Sequence, residues 1–344
     1  MIICRTPFRI SFFGGGTDYP AWYEENGGGV LSTTINKYTY ISCRHLPPFF
    51  EHKSRVVWSK IEQVTDNGEI DHPAVKAALS YMGVKEGVEI HHDGDLPARA
   101  GLGSSSAFAV GIIHALHALQ GRMIGKSDLA KLAIHVEQDL LKENVGVQDQ
   151  IATAFGGLNR IRISRDHSFS VEPVMLPHDR LKALEHNLLL FYTGLSRHAS
   201  EMAKDTIQAI PNKKNELRRM QAMVDIAVDA LAGESSLDDF GRLLDEAWQL
   251  KRSLSANIAP AFVDGIYAKA RAAGALGGKL LGAGGGGFIL FYVPAERRQD
   301  VLNALSDLLV VPFESERDGS KIIFYDRDQY SRTALSERRF VRYS

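Results

Sequence analysis

Leu96-Pro-Ala-Arg-Ala-Gly-Leu-Gly-Ser-Ser-Ser-Ala-Phe108 places two glycines and three serines at the mouth of an apolar run that continues to Leu119. Gly101 and Gly103 let the main chain turn where a Cβ would clash, so successive N–H groups can converge on one concave nest. A helix that starts here carries unpaired N–H donors and partial positive charge, which suits a polyphosphate. Ser104, Ser105 and Ser106 add hydroxyls that either cap the helix or reach a phosphate oxygen. A tight turn closed by a serine cap is the other use of the same residues.

Two further glycine clusters accompany this one. Gly282-Ala-Gly-Gly-Gly-Gly287 satisfies the G-x-G-x-x-G spacing of a dinucleotide site, but that fingerprint must open a helix. Phe288-Ile-Leu-Phe-Tyr-Val293 follows instead, and it reads as a strand. The loop therefore suits close approach of a backbone to a substrate or to a neighbouring loop. Two lysine-containing segments, Gly121 to Ser127 and Gly274 to Lys279, are one residue short of a P-loop. No G-x-S-x-G elbow is present, which disfavours a serine hydrolase. The third cluster, Gly14-Gly15-Gly16-Thr17-Asp18-Tyr19, ends the first strand. Strand periodicity sets Arg5, Arg9 and Ser11 on one face, so a carboxylate and a hydroxyl beside an arginine could line a polyol pocket. Asp18 as a cap for a helix over 20–25 is equally compatible.

Among the carboxylates, Glu137 falls inside a periodic helix over 127–142, and Asp149 lies twelve positions later in Gly-Val-Gln-Asp-Gln-Ile. A first-turn position favours an ionised Asp149, which could accept a proton from a hydroxyl. Solvated charges or a cap remain the alternative for both. His91-His92-Asp93 cannot place two imidazoles on one ion, because adjacent strand residues face opposite ways. They read as surface residues.

Strands are expected over 2–13, 29–45, 56–59, 88–92 and within 158–194, then at 287–293 and 321–326. Helices are expected over 73–82, 105–120, 127–142, 198–209, 213–232, 237–255, 260–273 and 295–309. Runs of strands and runs of helices, without strict alternation, indicate an α+β architecture. A chain of 344 residues exceeds one ordinary core, so two domains meeting near 160–190 are expected. A net charge of −1 gives no electrostatic basis for nucleic acid or an acidic membrane surface. Two cysteines, no apolar-rich leader and no apolar run of ~18 residues lead us to expect a cytoplasmic protein.

Together these segments resemble the GHMP small-molecule kinase family. Arg5-Thr-Pro-Phe-Arg9 through Asp18-Tyr19, Leu96 through Ala107, and Lys279-Leu-Leu-Gly-Ala-Gly-Gly-Gly-Gly287 resemble its three motifs, in order. The resemblance spans residues 3 to 293. Sugar kinases of the family usually carry Gly-Glu-His before Thr-Asp, where this chain has Gly14-Gly15-Gly16. That departure, with Gly146-Val-Gln-Asp149-Gln, Tyr192-Thr-Gly-Leu-Ser-Arg197 and Trp248-Gln-Leu-Lys251-Arg252, is similar to the heptose 7-phosphate kinases and to the kinase part of fucokinases.

The resemblance implies an N-terminal domain of the ribosomal protein S5 domain 2-like type, taken as 1–175, and a ferredoxin-like C-terminal domain, 176–344. ATP and sugar would meet between them. It further implies that Ala100, Gly101, Leu102, Gly103, Ser104, Ser105 and Ser106 wrap the ATP phosphates, and that Ser105 and Glu137 hold Mg2+. Asp149 would orient and deprotonate an anomeric hydroxyl, and Arg9 would stabilise charge between it and the γ-phosphoryl group. Gly15, Gly16, Thr17 and Asp18 would hold the sugar, with Gly284 and Gly285 approaching it. Arg197, Lys251 and Arg252 would bind a second phosphate on the substrate, with a solvated surface as the alternative for all three. The implied reaction is phosphorylation of C1 of D-glycero-D-manno-heptose 7-phosphate, on a route to lipopolysaccharide or capsule precursors. The alternatives are an anomeric kinase of an unphosphorylated hexose such as fucose or galactose, and a GHMP-fold regulator without activity. A homo-oligomer is compatible with the chain but argued by none of its features.

Overall fold

β-Branched and aromatic residues from Ile2 onward form β1 (Ile2–Phe13), which continues without a break into the first glycine turn. The computed structural model describes residues 1–326 apart from 48, 99, 196–198 and 256, with the backbone alone at 199–202. These residues form two sheets. In the first, β1 pairs along its length with β2 (Gly28–His45). On its other edge β2 pairs in succession with β5 (Val88–Gly94) and β6 (Leu158–Ile163). β3 (Ser54–Val57) and β4 (Ile61–Val64) extend the sheet beyond β5, and β7 (Phe169–Pro173) extends it beyond β6. The second sheet has the order β11 (Leu309–Val310), β8 (Leu188–Tyr192), β10 (Phe288–Tyr292), β9 (Gly277–Leu280), all antiparallel.

The chain then returns to the first sheet. β12 (Ser315–Glu316) pairs with β2 and β13 (Lys321–Tyr325) with β1. A division at residue 175 therefore follows the sheets only as far as residue 310, because the carboxyl-terminal strands close the amino-terminal sheet. Pairing only with β1, β13 forms the sheet edge there.

The helices are α1 (Pro20–Asn26), α2 (Pro73–Tyr81), α3 (Ser104–Leu119), α4 (Lys126–Ile134), α5 (Gln148–Phe155), α6 (His178–Asn187), α7 (Ala199–Ala209), α8 (Lys214–Ala232), α9 (Asp238–Arg252), α10 (Ala261–Ala272) and α11 (Arg298–Ala304). None is long and apolar enough to cross a membrane, among the described residues. Helices α2 to α5 cover one face of the first sheet around Ile41, Ile90, Ile112, Leu116 and Ile151. The far half of β1 belongs to a different core. Phe8, Ile10, Phe12 and Phe13 pack with Val224, Phe240, Leu244, Phe288 and Leu290, so β1 joins the two sheets through shared apolar surface. A third cluster locks Trp22 of α1 against Leu217, Met220 and Trp248.

Four elements differ from expectation. The helix expected over 127–142 stops as α-helix at Ile134 and continues as a π-helical turn, His135–Leu140. The strand-like stretch 158–194 contains α6, whose polar sequence buries only Leu184. The helix expected over 295–309 shrinks to α11 after a short 3-10 turn, leaving β11 as an edge strand. β9 has four fully buried residues, two of them glycine, and so carries no alternation to read.

The turn after β1 requires glycine at position 14. Its φ is +81°, and a Cβ would fall inside the van der Waals envelope of the Gly29 carbonyl and 2.8 Å from Val224 Cγ2. Gly83 also has a positive φ, +64°, with open space around it. Gly14→Ala should cost about 3 kcal/mol or more, and Gly83→Ala only the about 1–2 kcal/mol of a left-handed backbone. Urea unfolding of both variants checks this, and equal losses would overturn the packing account.

Candidate active site

Two of the glycine loops are pressed together, backbone against backbone. Gly101 has φ +90°, and a Cβ there would overlap the Leu281 carbonyl; a Cβ on Gly282 would overlap the Gly101 Cα. The main chain seals the contact, with Phe288 N–H donating to the Ala100 carbonyl at 3.0 Å and Arg9 N–H to the Leu102 carbonyl at 3.1 Å. Ala100 and Leu102 are thus buried behind the loop. Gly103 precedes α3 in a left-handed conformation, and no side chain caps the helix. The hydroxyls of Ser105 and Ser106 point elsewhere, as described below.

Beside this loop lies a cleft of about 360 Å3. Its lining includes Arg9, Gly15, Gly16, Asp18, Gly101, Gly103, Ser104, Ser105, Ser106, Asp149 and Lys251, so residues spread over 240 positions of sequence share one space. Trp58, His72 and Pro73 also contribute. Arg9, only 4 % exposed, grips Asp149 with both arms of its fork: Nε to Oδ1 at 2.7 Å and Nη2 to Oδ2 at 2.6 Å. Its remaining nitrogen, Nη1, donates to the Gly101 carbonyl at 2.7 Å. A single buried guanidinium therefore ties together the strand, the glycine loop and the start of α5. Arg5 does not take part. A register shift between Pro7 and Phe8 separates it from Arg9, and it stacks on Tyr38 and pairs with Glu316.

Under the start of α3 sits Glu137, buried on the π-helical turn. Ser105 Oγ donates to its Oε1 at 2.8 Å, and Ser106 Oγ to its Oε2 at 2.6 Å, with Gln150 Nε2 at 2.6 Å. Burial outweighs these bonds and pushes the carboxyl up to about 7. This all-oxygen donor set beside the loop fits Mg2+, which typically takes one or two carboxylates and completes its shell from phosphates and water. Among the described residues no cluster of three or more His, Cys, Asp or Glu could hold a metal unaided.

The other wall carries buried charge. Asp18 accepts from Gly16 N–H at 2.9 Å and Gln148 Nε2 at 2.9 Å, and burial, then the Asp149 charge, raise its carboxyl above the usual range. Lys251 Nζ donates to the carbonyls of Leu280 at 3.0 Å and Gly282 at 2.5 Å. Burial, reinforced by Arg9, lowers it to about 7. Lys279, whose Nζ donates to the Phe12 carbonyl at 2.8 Å, also lines the cleft and was not singled out from sequence for this role, although it sits within the quoted third motif. Ser11, which strand periodicity sets on the face of Arg9, lines it too.

Besides Ala100, Leu102 and Glu137, which are buried behind the lining, four expected contributors lie away from the cleft. Thr17 is fully buried, its hydroxyl donating to the carbonyls of Gly14 and Gly29 at 2.8 and 2.9 Å, so it straps the turn rather than facing a sugar. Arg252 pairs with Asp264 at 2.7 Å, because the helix turns it away from its neighbour Lys251. Gly284 and Gly285 pack on Ile258, with Gly285 N–H donating to its carbonyl at 3.1 Å. The loop instead lines the cleft with Gly282 and Ala283. Arg197 lies outside the described residues.

Comparison with known proteins agrees with the fold. Residues 71–157 match the model of the GHMP kinases N terminal domain, and residues 227–311 that of the GHMP kinases C terminal domain. The chain is 29% identical over 322 residues to a D-glycero-alpha-D-manno-heptose 7-phosphate kinase of Campylobacter jejuni, covering 88% of this chain and 92% of that one. It is 25% identical over 342 residues to a galactokinase of Pyrococcus furiosus, covering 88% and 92%. A crystal structure described as a D-glycero-D-manno-heptose 1-phosphate kinase from Bacteroides thetaiotaomicron superposes with a TM-score of 0.72 at 25% identity, covering 95% of this chain and all of that one.

The raised Glu137 carboxyl has a measurable consequence. Its native value of about 7 lies above the reference 4.5, so the folded state holds the proton more tightly. The resulting stability is complete below about pH 4 and is lost as pH rises through 7, about 3 kcal/mol in all. Thermal melts from pH 5 to 8 in the presence of a chelator should show this decline, and Glu137→Gln should flatten it. Parallel slopes in parent and variant would overturn the assignment.

Proposed function

The chain belongs to the GHMP kinase family and is a phosphotransferase with a hydroxyl acceptor, and from that premise we propose its substrate and the roles of its residues. The reaction is transfer of the γ-phosphoryl group of ATP to the C1 hydroxyl of D-glycero-D-manno-heptose 7-phosphate, giving the 1,7-bisphosphate and ADP. The observation that carries this reading is the Arg9–Asp149 pair facing the start of α3 across one cleft. Similarity to the Campylobacter jejuni enzyme supports the heptose, and Lys251 in the cleft wall supports an acceptor that already bears a phosphate.

Asp149 accepts both bonds from Arg9, yet each carboxylate oxygen keeps a second lone pair, and the side chain is 23% exposed. It can therefore take the proton of a hydroxyl laid against it as the new oxygen–phosphorus bond forms and the bond to the β-phosphate oxygen breaks. Arg9 reaches both the base and the glycine loop, so its charge lies where negative charge gathers on the transferring group. Gly101, Gly103 and Ser104 to Ser106 cradle the polyphosphate, and Gly15, Gly16 and Asp18 hold the sugar. Mg2+, held by Glu137 and Ser105, would neutralise phosphate oxygens. Arg197 stays a candidate for the second phosphate, and Lys251 is the one placed in the wall. Such a reaction belongs in the cytoplasm, upstream of surface polysaccharide assembly.

Purified protein with Mg-ATP and a panel of acceptors tests the substrate, with phosphorus NMR locating the new ester. Heptose 7-phosphate should be turned over in preference to fucose and galactose; the reverse preference would overturn the reading. Asp149→Asn should lower kcat about 10²- to 10⁴-fold, and a loss below tenfold would remove the residue from the base role.

A further inference from the structure

Ser11, Lys251 and Lys279 all line the cleft, and neither lysine forms an ion pair among the described residues. Lys279 Nζ bonds the carbonyl of Phe12, the residue after Ser11, at 2.8 Å. Lys251 Nζ bonds the carbonyl of Leu280, the residue after Lys279, and that of Gly282. Both ammonium groups therefore hang on main-chain oxygens, with donors to spare. Ser11 is 6% exposed, and its Oγ has no hydrogen-bond partner among the described residues.

The two nearby carboxylates are already engaged, Asp149 by Arg9 and Asp18 by Gly16 and Gln148. Buried cations lacking a counter-charge are costly. Burial and then the Arg9 charge push Lys251 down, and burial with the Lys251 and Arg9 charges pushes Lys279 well below the ordinary lysine range, while Asp18 opposes both shifts. Among the described residues, the wall that opens on the cleft thus carries a hydroxyl with no hydrogen-bond partner and two buried lysines held only by main-chain oxygens. A ligand with several negative oxygens would satisfy all three.

We propose that Ser11, Lys251 and Lys279 form one anion subsite that takes a phosphate monoester, with Lys279 and Ser11 as ligand-contacting residues beside Lys251. The proposal rests on the reading that a phosphorylated sugar and ATP share this cleft. The same chemistry has two sources: the phosphate already on the acceptor, or the phosphoryl group in transfer.

Steady-state kinetics of the full-length protein distinguish them, using heptose 7-phosphate and the unphosphorylated heptose as acceptors. If the subsite holds the acceptor's phosphate, Lys279→Met should raise KM for heptose 7-phosphate about 10- to 100-fold and leave the unphosphorylated heptose unchanged. If it holds the group in transfer, kcat should fall to the same extent with both acceptors. Ser11→Ala should move the same parameter about fivefold while leaving the melting temperature unchanged or higher, since it deletes an atom with no partner. That variant keeps the test decisive should Lys279→Met fold poorly. Ser11→Ala within twofold of the parent for every parameter, with a folded Lys279→Met equally silent, would overturn the subsite. Failure of the heptose reading shows separately, in the parent enzyme, as preference for an unphosphorylated hexose.

Discussion

The buried fork of Arg9 is the constraint on which the rest of the site depends. A guanidinium with almost no access to water must have its donors satisfied, and here the partners are a carboxylate and a main-chain carbonyl. Those partners come from α5 and from the glycine loop, which are separated in sequence by nearly fifty residues. Satisfying one cation thus fixes Asp149 relative to the glycine loop. Removing either partner would leave charge stranded in a low-dielectric interior.

Arg9 holds its place because of the strand that carries it. Along β1, Phe8, Ile10 and Phe12 bury themselves in the core shared by the two sheets, and Arg9 and Ser11 alternate onto the cleft side. The glycine turn that follows is pinned by Thr17, whose hydroxyl spans two carbonyls, and this holds Asp18 against Gly16 and Gln148. Thr17 thus serves the pocket from outside it. The 282–287 loop acts in a similar way. By packing its main chain on Ala100 and Gly101 it backs the turn that opens α3, and only its Gly282 and Ala283 reach the cleft.

Much of this was legible in the sequence, and the part that was not has identifiable causes. Long helices such as α8 and α9 bury a periodic face and announce themselves, and α3 does so as a continuous apolar run. The glycine clusters were visible because nothing else permits such close backbone contact. Arg252 was misjudged beside Lys251 because adjacent helical residues point about 100° apart, and composition does not say which of the two meets the cleft. The return of β12 and β13 was hidden because strand pairing over some 300 residues leaves no local trace. Lys279 escaped because a lysine in a four-residue buried strand looks like a glycine-loop flank. Only the fold shows its ammonium turned toward Phe12.

The π-helical turn shows why local irregularity and chemistry coincide here. Continuing α4 as a regular helix would rotate the side chains after Ile134 by 100° per residue. Widening the turn at His135–Leu140 alters that phase, and Glu137 ends up buried beneath Ser105 and Ser106. The gain is a carboxylate presented to two hydroxyls at the start of another helix. The cost is a carboxyl held far from water, whose charge burial disfavours. A divalent cation held by Glu137 would offset that cost. The irregular turn, the buried acid and the serines that open α3 therefore form one hydrogen-bonded unit, and none of the three holds its place without the others.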